Sequence, residues 1–218
     1  MLMPLRYLPI AIFVLPVAAA NLAWLISTAN GTIPPCVPYI DGCVSISGAS
    51  RQLPSLYLFR GLIIPNAILT GLFWVLVYRW LGGLGLTSRF KRGLLTALGI
   101  GGSVFLIVYA VTLGTDGSAY RIMRRFGINL YYGLTYLAQI LLAGYLLRQN
   151  VKPRSIARWK VGICVATLLL GLASIPTKEW ALDRRAMSNI FEWNLSILLV
   201  AYYLLSYAAW RRTGFTPR

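Results

Sequence analysis

Charged residues are spaced along this chain so as to leave five long stretches free of them. Tyr7 to Ala29, Gly61 to Tyr78, Leu94 to Leu113, Ile128 to Leu147 and Trp193 to Trp210 contain no charged side chain. A sixth apolar run, Val161 to Ile175, is shorter, stops at Pro176 and is expected to borrow length from Thr177 to Leu182. A helix rises about 1.5 Å per residue, so about twenty residues cross a hydrocarbon core of about 30 Å. In lipid the backbone must satisfy its own hydrogen bonds, and uninterrupted runs of this kind do so as helices. The pattern predicts an all-α membrane protein: one transmembrane domain over residues 1–218, with spans at about 7–29, 56–79, 94–114, 128–147, 161–177 and 192–210.

Composition narrows the class. Apolar residues make up 58% of the chain, which has five acids, no histidine and a formal charge of +16. That balance excludes an ordinary soluble domain. The basic residues lie in short clusters between apolar runs, as membrane insertion requires, so nucleic acid is not an expected partner. Counted in alternate segments, thirteen Lys and Arg fall with Arg6, the 79–92 and 148–160 clusters and the end of the chain, against eight in the other segments. The positive-inside rule puts the larger set, and both termini, in the cytoplasm. Asp41, Asp116, Glu179, Asp183 and Glu192 then all face the outer side. The host membrane is either a bacterial inner membrane or a eukaryotic endomembrane or plasma membrane. The first run has a second reading as a cleaved signal peptide ending near Ala18-Ala19-Ala20, although its apolar residues continue through Ile26.

Candidate chemistry gathers on the outer side. The loop from about Asn30 to Leu53 carries Pro34-Pro35 and Asp41-Gly42 turn signals, and Cys36 and Cys43 either form a disulfide in an oxidising compartment or remain two thiols. Cys164 reads as packing, and cysteines without histidine give no metal site. Arg60 and Glu192 open the second and sixth spans at one depth, where they either pair or snorkel separately. Asp183 and Glu179 read as neutralising Lys178, Arg184 and Arg185 in a solvated loop. A short helix after Asp116 would gather Arg121 and Arg125 on one face, beside Tyr120 and Arg124; that group either grips a phosphate or anchors to anionic headgroups. Tyr131, Tyr132 and Tyr136 fit an interfacial belt, and Gln139 and Asn194 fit interhelical hydrogen bonds. Small residues at Gly99, Gly101 and Gly102 permit close helix contact, within the bundle or in a homo- or hetero-oligomer.

The segment PYIDGCVSISGASRQLPSLYLF resembles the loop after the first helix of a six-helix membrane family. That family comprises FRAG- and DRAM-type proteins and post-GPI-attachment lipid-remodelling factors, with a CWH-type N-terminal domain. Pro38, Tyr39, Ile40, Asp41 and Gly42 carry the likeness, with Pro54 and Phe59 downstream, Glu192-Trp193 before the last helix, and Tyr136 and Gln139 in the fourth. The serine that precedes the acid in the family pattern is absent. Arg124-Arg125-Phe126 stands where many members have a histidine, which puts any histidine-dependent activity in doubt. The resemblance implies cytoplasmic termini and a role in membrane lipids.

The sequence shows neither a histidine base nor a G-x-S-x-G nucleophile, so no catalytic residue is assigned and no cofactor is called for. The leading expectation is a lipid-handling membrane protein with membrane lipids as partners. Its headgroup candidates are Asp41, Arg60, Asp116, Tyr120, Arg121, Arg124, Arg125, Gln139, Glu192 and Asn194. The alternatives are a transporter or channel, which would need buried charge along a path, and a non-catalytic assembly factor.

Overall fold

The computed structural model describes residues 5–149 and 154–215, apart from the side chains at 178 and 179. Lys152, Arg218 and the expected neutralisation of Lys178 by Glu179 therefore lie outside the described residues. A 3-10 turn, Leu5–Tyr7, leads into α1 (Leu8–Ala29). Two four-residue helices, α2 (Pro38–Asp41) and α3 (Ile46–Ala49), lie in the long loop. The remaining helices are α4 (Ser55–Gly83), α5 (Arg89–Thr112), α6 (Ser118–Arg148), α7 (Arg154–Trp180) and α8 (Arg184–Arg212). Among the described residues, six helices are long and apolar enough to cross a membrane, so the chain is a polytopic membrane protein.

Several helices exceed their apolar runs. α6 begins at Ser118, ten positions before the expected start of that span, so Arg121, Arg124 and Arg125 belong to its first turns and not to a separate short helix. α8 begins at Arg184, which places Glu192 two turns inside the helix instead of at its mouth. Asp183 is the N-cap of α8, its Oδ1 accepting from the amides of Arg185 and Ala186 at 2.9 Å each, a capping role for a residue expected only to neutralise the loop. α7 continues through Pro176 to Trp180, gaining the length its short apolar run lacked.

The long helices pack in chain order, each beside the next, and α8 closes the ring against α1. The backbones of α6 and α8 stand apart, although both helices pack on α7. Gly99 and Gly102 serve the α4–α5–α6 contacts. A methyl group on Gly99 would lie 2.2 Å from the Trp74 ring, and one on Gly102 would lie 2.6 Å from Thr135 Oγ1. These glycines are used inside the bundle.

Asp41, Asp116, Asp183 and Glu192 sit at one end of the bundle, the acidic end. The clusters around Arg79–Arg92, Arg148–Arg158 and Arg211–Arg212 mark the other, basic end. Toward the basic end the interior is filled with aromatics. Phe73 stacks on Trp210 with centroids 5.4 Å apart and meets Tyr203 edge-on at 5.0 Å, and Trp74 and Trp80 are fully buried beside them. Lys160, counted with the basic clusters in the sequence, is buried here. Its Nζ donates to Ser206 Oγ at 2.7 Å and lies 3.5 Å from the centroid of the Tyr202 ring.

Candidate functional site

The first half of α8 organises the acidic end by holding the long loop through that loop's backbone. Asn189 donates to the Gly42 carbonyl at 2.7 Å, Trp193 Nε1 to Val44 at 2.8 Å and Asn194 to Tyr39 at 3.1 Å. Glu192 accepts from the Ile46 amide at 3.1 Å. The loop is also fixed from within. Cys36 and Cys43 are joined in a disulfide around α2, and Asp41 reaches back to accept from the Val37 amide at 2.7 Å. Tyr39 and Asn21 exchange hydrogen bonds at 2.9 and 3.2 Å, tying the loop to α1, and burial raises the Tyr39 phenol above its ordinary pKa.

Under this loop three spaces meet. An arginine-rich basin of about 390 Å³ opens at the acidic end between the loop and the start of α6. It is lined by Arg51, Arg121, Arg124 and Arg125 together with Tyr109, Asn129, Tyr132 and Glu192. Below it lies a small central cavity of about 70 Å³ among α1, α4, α5, α6 and α8, walled by apolar side chains and by Tyr109, Tyr131, Tyr132 and Ser196. The third space is an apolar groove of about 340 Å³ along α6, α7 and α8. Tyr132 and Glu192 line all three spaces. The Tyr132 hydroxyl is hydrogen-bonded to Ser196 Oγ, and deeper in the bundle Gln139 donates to the Leu199 carbonyl and its own carbonyl accepts from Tyr202, so side chains link α6 to α8 although their backbones stand apart.

Four of the ten headgroup candidates, Arg121, Arg124, Arg125 and Glu192, line the basin. The others do different things. Arg60 is engaged with the end of α5. Its Nε donates to Ala110 at 3.0 Å and its Nη2 to Val111 at 2.9 Å and to Leu113, so it satisfies the last carbonyls of α5. Arg124 shares that task through Thr112 at 3.0 Å and Thr115 at 2.9 Å. Helix C-termini expose unpaired carbonyls and a partial negative charge, which suits a guanidinium. Gln139 is buried in mid-bundle and donates to Leu199 at 2.8 Å, while Asn194 is occupied with the loop. Asp41, Asp116 and Tyr120 are exposed and outside the basin.

Residues the sequence did not single out complete the site. Arg51 read only as one more basic residue, and Tyr109 is hidden in a glycine-rich apolar run. Tyr131 and Tyr132 turn into the bundle instead of forming an interfacial belt, and Tyr131 is buried. Tyr136 donates to the Cys164 carbonyl at 2.7 Å, bridging α6 and α7. Comparison with protein-family models, with curated proteins and with solved structures finds no match for the chain.

Proposed function

We propose that this membrane protein handles lipids by taking an anionic headgroup into the basin at its acidic end, which faces away from the cytoplasm. One observation carries the reading: four arginines and a single carboxylate line a polar basin that shares two walls, Tyr132 and Glu192, with apolar spaces inside the bundle. Forked guanidinium donors match phosphate oxygens, and Arg121 and Arg125 are exposed at the basin. The orientation rests on the excess of Lys and Arg in the segments at the opposite end. The likeness of the loop to FRAG- and DRAM-type proteins and lipid-remodelling factors supports the same assignment. Binding and presenting a lipid is the role that fits; no catalytic step is assigned.

Lipid retention tests this directly. Protein purified in detergent should retain phosphatidylglycerol in preference to phosphatidylcholine. Replacing both arginines (Arg121→Gln with Arg125→Gln) should weaken retention of phosphatidylglycerol by about tenfold, the loss of roughly one charge-assisted contact. Equal retention of the two lipids by the unaltered protein would overturn the proposal.

A further inference from the structure

We infer that the ligand is a diacyl anionic phospholipid loaded sideways from the bilayer, with one acyl chain lying in the groove between α6, α7 and α8 while its phosphate rests on the basin arginines. This deepens the headgroup reading and rests on it.

The first support is continuity. The groove is lined chiefly by apolar residues of three helices, and Tyr132 and Glu192 are walls of both the groove and the basin. A molecule with a charged end and a hydrocarbon end is thus matched at both ends by one connected surface. The groove also opens to the outside of the bundle, since Leu168 and Leu172 are 47% and 55% exposed. In a bilayer that exposure faces lipid.

The second support is how the groove is kept open. Gly133 on α6 and Gly171 on α7 both line it, and a methyl group built on either would meet no atom within 4 Å. They differ from Gly99 and Gly102, whose missing side chains are replaced at close range by neighbouring helices. The groove glycines leave width unfilled instead of bringing helices together.

The third support is depth. Arg125 and Tyr136 bracket the site on α6 and are eleven residues apart, about 17 Å along a helix. One leaflet contributes about 15 Å of a typical hydrocarbon core. A headgroup at the arginines therefore leaves its chain alongside the groove for about the thickness of one leaflet. The central cavity, at about 70 Å³, is far smaller than the groove, so the chain is assigned to the groove.

The test fills the groove from either side, with Gly171→Leu and Gly133→Leu in the full chain. Both positions are helical and sterically open, and leucine favours helix over glycine, so the variants should fold. Two probes are compared by native mass spectrometry: palmitoyl-oleoyl phosphatidylglycerol and glycerophosphoglycerol, which has the same phosphodiester headgroup without chains. Displacing about two methylenes from the groove should reduce the preference for the long-chain lipid over the headgroup probe by roughly tenfold in each variant. An unchanged preference in both variants would overturn the groove assignment, and loss of both probes together would overturn it as well. Loss of a bound helical protein instead of lipid would show that the groove is a docking face for a partner, with the same consequence. The arginine double variant separates the two readings. If it leaves both probes bound as before, the headgroup reading fails; if it weakens both while the leucine variants alter nothing, only the groove is misassigned.

Discussion

At Gly42 two constraints coincide. Its φ of +62° lies in the left-handed region, and a methyl group there would come within 2.0 Å of the Ala186 carbonyl oxygen on α8. The loop can approach α8 closely enough for Asn189 to take the Gly42 carbonyl only because no side chain intervenes. Gly31 has a similar φ, +68°, with open space around it. Gly42→Ala is therefore expected to destabilise the protein by about 2–4 kcal/mol, combining backbone strain with overpacking, and Gly31→Ala by only about 1 kcal/mol. Thermal unfolding of both variants in one detergent checks the difference, and equal losses would remove the role of the α8 contact. The Asp41-Gly42 turn was legible in the sequence because turn chemistry is local. The inward aim of Tyr131 and Tyr132 was not. In a span that is apolar on every face, composition does not fix how the helix is rotated, and the neighbouring helices decide it.

Helix ends behave differently from helix middles. The six spans were legible because hydrocarbon demands long uncharged runs. The continuity of the short helix after Asp116 with α6, and the polar turns of α8 before Glu192, were not, because a helix that projects beyond the membrane carries no apolar signal. That miss misplaced Glu192 and made Arg60 look like its partner. With α5 in place, Arg60 is bonded to the carbonyls of Ala110, Val111 and Leu113, whereas Glu192 accepts from the loop amide of Ile46. Arg60→Gln should cost about 1.5–3 kcal/mol through lost charge-assisted bonds at the end of α5. Combined with Glu192→Gln, the effects should add to within about 0.5 kcal/mol, as for independent sites. A double-mutant cycle by reversible unfolding measures this, and a coupling above about 1 kcal/mol would restore the paired reading.

Across the whole molecule, charge and the spaces enclosed between helices are both distributed unevenly between the two ends, the opening at the basic end being a surface hollow on α8 alone, lined by Tyr207, Ala208, Arg211 and Arg212. Phe73, Trp74, Trp80, Tyr203 and Trp210 pack the interior toward the basic end, while the basin, the cavity and the groove all lie toward the acidic end. This arrangement suits a site served from the acidic end. The acids share the end with the basin, although the insertion rule concerns Lys and Arg and leaves acids almost unconstrained. The placement of Asp183 and Asp41 has a local cause, since each accepts backbone amides where a helix begins. If Lys and Arg set the orientation, reporters fused after Arg89 and Arg212 should read cytoplasmic, and those after Ser47, Asp116 and Asp183 should read external. The Cys36–Cys43 disulfide gives an independent check, because an external loop lies in an oxidising compartment in a periplasm or lumen. In intact membranes both thiols should resist an impermeant maleimide until an external reductant is added, and should then label. A cytoplasmic signal at Ser47, together with labelling before reduction, would invert the protein and move the arginine basin to the cytoplasmic leaflet.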